Sequence, residues 1–244
     1  MPRNDRRGRS RAKSPSRPAG RRLSVKVKSA KGRKASSTRW LQRQLNDPYV
    51  ASAGDSGYRS RAAWKLIQLD EKFEFLARGR RVIDLGAAPG GWTQVAVERV
   101  GRAPPARVIA LDTSEMEPVE GAEHLRLDFL DVDERARLTD TLAGRVDVVL
   151  SDMAAPATGH RRTDQLRALT LSEAAHQFAQ QVLVAGGALV LKAFHGGGEA
   201  ELMAALKRDF TRVRTTKPPA SRPESGETYI VAIGFRGGPP DQQP

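Results

Sequence analysis

Cysteine is absent from all 244 residues. That excludes a disulfide scaffold, a thiolate metal site and a cysteine nucleophile. The four histidines (His124, His160, His176, His195) show no His-x-x-x-His or similar ligand spacing, so no metal is expected. No apolar stretch approaches the ~18 residues that cross a bilayer, and no apolar segment follows the basic start. The expectation is a soluble, non-secreted, cytoplasmic protein. An organellar transit peptide would share the Arg- and Ser-rich, acid-poor N-terminal composition. Against it, Gly8, Pro15, Pro18, Gly20 and Gly32 interrupt any amphipathic helix there.

Acidic residues are also missing from one end. Residues 1–44 hold sixteen Lys or Arg and a single carboxylate, Asp5, for a net of +15. The whole chain carries +13, so residues 45–244 balance at −2. The basicity belongs to the tail and says nothing about what the body binds. Residues 1–37 are too polar and too like-charged to bury surface against chain entropy, and are expected to form a disordered arm. Such an arm attracts RNA phosphates without reading sequence. The expected organisation is an arm over 1–44, one folded domain over 45–237 and a short tail over 238–244. Trp40 to Tyr58 reads as a junction, with Asp47-Pro48 and Gly54-Asp55-Ser56-Gly57 as loop signals.

From Arg59 onward, short apolar runs alternate with helical periodicity. Ser60 is the expected N-cap of a helix through about Leu76. The strand runs are Val82–Leu85, Val108–Leu111, His124–Leu127, Val146–Leu150 and Ala188–Leu191. Helices fit between them at 91–100, 131–143 and 164–185, and a last one at 198–209. Arg212–Thr216 and Thr228–Phe235 follow each other through a Pro-Pro and Gly loop and are expected to pair antiparallel. The fold class is thus α/β, a Rossmann-like, mostly parallel seven-stranded sheet with helices on both faces and an antiparallel last strand.

The richest stretch is Asp84-Leu85-Gly86-Ala87-Ala88-Pro89-Gly90-Gly91-Trp92, a strand end, a Gly turn and a helix start. It lacks both the Gly-x-Gly-x-x-Gly dinucleotide spacing and the Lys-Ser/Thr of a phosphate loop. A turn of this kind after an Asp suits a ligand without phosphates, such as the methionyl part of S-adenosylmethionine. The candidate cofactor positions on it are Asp84, Gly86, Pro89, Gly90 and Trp92. Asp112, ending the next strand, is placed to accept ribose hydroxyls, and Asp128 to meet an adenine edge.

Four ionisable residues stand at telling places: Lys65 in the first helix, Asp152 after the fourth strand, Lys192 ending the fifth and Glu227 opening the last. Ligands of open α/β sheets bind beyond the carboxyl ends of the strands, which puts Asp152 and Lys192 at the mouth of the site. A ribose 2′-hydroxyl attacking a sulfonium methyl must shed a proton. A lysine takes it only when neutral, which a nearby second lysine favours and neighbouring carboxylates oppose. The other possibility is that Lys192 stays charged and stabilises the developing oxyanion. Sequence leaves that choice open.

These blocks, together with Ser60-Arg61-Ala62-Ala63-Trp64-Lys65-Leu66, Ser151-Asp152-Met153-Ala154, Val190-Leu191-Lys192-Ala193-Phe194 and Glu227-Thr228-Tyr229-Ile230-Val231-Ala232, closely resemble the RrmJ/FtsJ (RlmE) family of large-subunit ribosomal RNA uridine-2′-O-methyltransferases. The likeness runs from about Tyr58 to Phe235. It implies a catalytic tetrad of Lys65, Asp152, Lys192 and Glu227, with Lys192 central. It also implies S-adenosylmethionine contacts at Gly90, Trp92, Asp112, Asp128 and Asp152. The implied acceptor is a uridine in the A-loop of the assembled large subunit, and a monomer is expected. Departures from the family wording are the long basic arm and the loop Ala154–Arg162, with His160-Arg161-Arg162. Transfer RNA or another RNA as acceptor, or a non-catalytic RNA-binding assembly factor, are the alternatives.

Overall fold

The computed structural model describes residues 35–142, 144–156, 158–194 and 199–237. The expected basic arm up to residue 34 and the tail from 238 lie outside the described residues. Helix α1 (Ala35–Leu45) begins within the stretch expected to be the disordered arm and runs into the junction, and α2 (Pro48–Asp55) lies within the junction, so the end of the expected arm is helical. The Asp47-Pro48 signal was real but marks a helix start. The Asp47 carboxylate accepts from the Tyr49 N–H at 3.0 Å, and Pro48 occupies the first turn, where its missing N–H costs nothing.

Next comes α3 (Ala62–Phe73), then β1 (Arg81–Leu85), α4 (Gly91–Val100), β2 (Arg107–Asp112) and β3 (Glu123–Arg126). They are followed by α5 (Val132–Thr141), β4 (Val146–Ser151), α6 (Arg161–Val182) and β5 (Leu183–Phe194). The chain ends with α7 (Glu199–Asp209), β6 (Phe210–Thr216) and β7 (Glu227–Phe235). One expectation fails at α3. Its N-cap is Arg61 rather than Ser60, and the Ser60 hydroxyl is buried without a hydrogen-bond partner, facing Gly91.

The seven strands lie in the order β3-β2-β1-β4-β5-β7-β6. All neighbours on the β3 side of β5 are parallel, while β7 runs antiparallel to both β5 and β6. This is the expected mostly parallel sheet with an antiparallel last strand, and β7 inserts between β5 and β6 rather than adding at the edge.

Side chains alternate across each strand, so the apolar runs split into two cores. Ile83, Leu85, Val149, Leu189 and Leu191 meet Phe178 of α6 and Leu202 and Leu206 of α7. Val82, Val148, Leu150 and Val190 meet Leu66 and Ile67 of α3 and Val95 and Ala96 of α4. Lys192 shares the second face with Val190, and Tyr229 shares it with Val231. The sheet therefore turns the end of β5 and the start of β7 toward α3, where Lys65 waits.

Candidate active site

Parallel pairing sets the ends of β1, β2 and β4 side by side, Leu85 against Leu111 and against Ser151. The loops leaving them enclose a cavity of about 690 Å³. Its walls include Gly86, Asp112, Asp128, Asp152 and the apolar Leu111, Phe129 and Met153. Gly86 is required at its place. It has φ +75°, and a Cβ there would lie 2.8 Å from the Met153 Cα, so the β1 and β4 loops could not approach.

Asp112 closes the turn. Its carboxylate accepts from the Ala88 N–H at 2.9 Å and the Ser114 N–H at 2.8 Å, leaving lone pairs for a ligand. Asp128 accepts from Leu130 N–H at 2.9 Å and stands on the same wall. Three carboxylates around an apolar cavity fit a cationic nucleoside with a ribose diol, and would repel a polyphosphate. S-Adenosylmethionine meets that description, and Asp112 and Asp128 are the residues that could hold its nucleoside.

The other turn positions take different places. Asp84, Pro89, Gly90 and Trp92 do not line the cavity. Asp84 is fully buried on the α4 face beside Val82 and accepts from the Thr93 hydroxyl at 2.7 Å. Burial pushes its carboxyl up to about 7; the Thr93 bond opposes this, and the nearby charges of Asp152 and Asp112 reinforce it. Trp92 is buried, with its indole N–H on the Ala62 carbonyl at 2.8 Å and its ring 5.6 Å from that of Tyr229. Gly90, at φ +106°, packs against Arg59 and Val119.

The four ionisable residues come together beside this cavity, and Asp152 is the member of the cluster that lines it. Lys65 Nζ lies 2.7 Å from Glu227 Oε1 and 2.9 Å from Oε2. Lys192 Nζ lies 2.9 Å from Asp152 Oδ1 and donates to the Asp152 carbonyl at 2.6 Å. Each lysine thus has its own carboxylate, an arrangement that residue order alone did not reveal. The link between the pairs was missed in the sequence. Lys65 donates to the Tyr229 hydroxyl at 3.2 Å, and that hydroxyl donates to Asp152 Oδ1 at 2.8 Å. The β5–β7 register places Tyr229 directly across from Lys192.

Tyr229 is fully buried, and burial followed by the charges of Asp152 and Glu227 raises its hydroxyl well above its ordinary value. It therefore remains a donor at neutral pH. Ser221, also buried, donates to Glu227 Oε1 at 2.8 Å and completes the support. The only sequence signal for Tyr229 was its spacing, two residues beyond Glu227 on the same face of a strand.

Residues 58–235 match a known family described as FtsJ-like methyltransferase. The chain belongs to that family. Among its relatives, the ribosomal RNA large subunit methyltransferase E of Paramagnetospirillum magneticum is 60% identical over 225 residues, covering 90% of this chain and 92% of that protein. The proteins of the same name from Cereibacter sphaeroides and Ruegeria pomeroyi are 56% and 53% identical, covering 89% and 93% of this chain and 91% and 100% of their own lengths. A crystal structure of a ribosomal RNA methyltransferase from Plasmodium falciparum is 32% identical, with a TM-score of 0.66 over 74% of this chain and all of that one. Against these neighbours the FtsJ-like chain keeps the fold and the methyltransferase class that its sequence indicated.

Proposed function

We propose that this FtsJ-like methyltransferase transfers a methyl group from S-adenosylmethionine to a ribose 2′-hydroxyl of large-subunit ribosomal RNA, a uridine of the A-loop, on the assembled subunit. One observation carries the chemistry. Asp152 is at once a wall of the nucleoside cavity and the partner of both Lys192 and Tyr229, so cofactor and proton-handling groups share one side chain. The cofactor supplies an electrophilic methyl on a positively charged sulfur. The remaining work is done by Lys65, Asp152, Lys192 and Glu227.

Lys192 spends two N–H groups on Asp152, which leaves one for the acceptor oxygen. In that position it orients the hydroxyl and stabilises the negative charge that develops as the proton leaves. Asp152, held by Tyr229, fixes the Lys192 ammonium group from behind. Lys65, with both Glu227 oxygens and Tyr229 as partners, braces the cluster from α3. A free amine would need fewer acceptors around it, so the geometry favours the charge-stabilising role over general base. The ribosomal substrate is drawn from the relatives named for it, at 53–60% identity over nearly full length.

The test is to incubate the purified protein with methyl-labelled cofactor and large subunits from a strain lacking this activity, then map the label by nuclease digestion and mass spectrometry. Label on a 2′-O-methyluridine of the A-loop supports the whole reading. Label on transfer RNA but not on subunits keeps the chemistry and overturns the substrate. In the same assay Lys192→Ala should abolish transfer while retaining cofactor affinity; loss of cofactor binding would make Lys192 a structural residue instead.

A further inference from the structure

An RNA acceptor must approach a body whose charge is slightly negative, and a cavity walled by Asp112, Asp128 and Asp152. Charges within about 10 Å of each other still interact at ordinary ionic strength, so those carboxylates repel an incoming phosphodiester chain. Cations at the mouth have to offset that repulsion. Most cations near the site are already engaged. Lys65 and Lys192 hold carboxylates, Arg61 and Arg222 share the Asp47 carboxylate at 2.9 and 3.3 Å, and Arg59 donates to backbone carbonyls.

The start of α6 is different. Residues 160–167 carry three arginines and one carboxylate. That carboxylate, Asp164, is turned back into the loop, accepting from the Thr158 N–H at 2.8 Å and the Thr158 hydroxyl at 2.7 Å. Arg162 and Arg167 are exposed, and among the described residues neither has a carboxylate within ion-pair distance. Arg167 makes one long bond, 3.4 Å, to the Pro156 carbonyl, and it lines the cavity beside Ala154, Ala155 and Pro156. These residues continue directly from Asp152. The unsatisfied N–H groups at the N-terminus of α6 add to the positive field on the same side.

We propose that Arg162 and Arg167, the rim at the start of α6, bind the phosphate backbone of the RNA flanking the methylated nucleotide. This rests on the ribose-methylation reading, and it adds a backbone-binding element on the first turns of α6. The rim reads no base; it holds the chain by charge, as phosphate contacts do.

The test compares Arg162→Glu with Arg78→Glu in the full-length protein. Arg78 is exposed before β1, at the opposite end of the sheet, and receives the same change of charge. Methyl transfer to large subunits is measured as kcat and KM, and binding to a ribosomal RNA fragment as a function of salt. Arg162→Glu should raise KM roughly tenfold. It should also lower the slope of log affinity against log salt by roughly 0.7–0.9 for each phosphate that the rim no longer neutralises. Cofactor affinity and kcat at saturation should stay as in the parent, and Arg78→Glu should change neither KM nor slope. Equal shifts in the two variants, or a loss of cofactor affinity in Arg162→Glu, would overturn the rim. If the parent protein fails to methylate any RNA, the functional reading falls, and the salt slopes still decide whether the rim binds RNA.

Discussion

Replacing Asp84 by Asn should stabilise this protein at neutral pH and leave it unchanged in acid. The carboxyl is fully buried, accepts one hydrogen bond from Thr93, and has one oxygen, Oδ1, with no partner. Its folded-state value is about 7, against 3.8 for the free side chain. A group raised in the fold lends its full contribution below the unfolded value, and loses it as pH climbs toward the folded value. Three pKa units at about 1.36 kcal/mol each make the loss about 4 kcal/mol, incurred between roughly pH 4 and pH 7. Asn is the isostere of the protonated acid and does not titrate, so it escapes the loss.

The assay is urea denaturation of both proteins in parallel from pH 4.5 to 8. Near the acid end the two midpoints should approach each other. Toward pH 8 the Asn variant should become more stable by about 4 kcal/mol, with unchanged m-value. A gap that does not change with pH would refute the reasoning. It would mean that the free N–H groups at the start of α4, where Thr93 sits, hold the Asp84 carboxylate ionised and compensate its burial. A variant that is less stable at every pH would point instead to an unmet amide where the orphan oxygen now stands.

Tyr229→Phe removes the hydroxyl that joins Lys65 to Asp152. It should lower kcat at least tenfold with cofactor affinity nearly intact, since a bond to a charged group is worth about 1.5–3 kcal/mol; an unchanged kcat in single-turnover assays would leave Tyr229 a packing residue. Asp112→Ala should weaken cofactor binding by calorimetry and also loosen the Gly turn, because the same carboxylate holds the Ala88 and Ser114 N–H groups. Unaltered affinity would remove Asp112 from the nucleoside site. Deleting residues 1–34 keeps α1 and should reduce RNA affinity and its salt slope without changing thermal unfolding. A salt dependence identical to that of the full chain would show that the arm does not touch RNA.

The strands and the mostly parallel sheet were legible because short runs of four or five residues, separated by helical periodicity, have few other solutions. Insertion of β7 between β5 and β6 was not, since it depends on long-range pairing that no local pattern encodes. The Asp47-Pro48 pair shows a different limit. Asp before Pro opens turns and helices alike, and only the residues that follow decide which forms. The place of Asp84 under α4 had a signal the sequence did contain. A strand alternates faces, so a residue two positions after Val82 points to the same side, under α4.

That Lys65, Asp152, Lys192 and Glu227 cluster was suggested by charges standing beside apolar runs, Lys65 on α3, Asp152 just after β4, Lys192 near the end of β5 and Glu227 opening β7. Which lysine would face which carboxylate was invisible, because that depends on the register of β5 against β7. The register sets Lys192 opposite Tyr229 and Phe194 opposite Glu227. Tyr229 can then bridge the two ion pairs only because its ring is held in the core between the sheet and Trp92, while its hydroxyl reaches the polar cluster. An aromatic inside an apolar strand reads as core, and Tyr229 is core. Its second role comes from being two residues beyond Glu227, on the one face of β7 that points to α3.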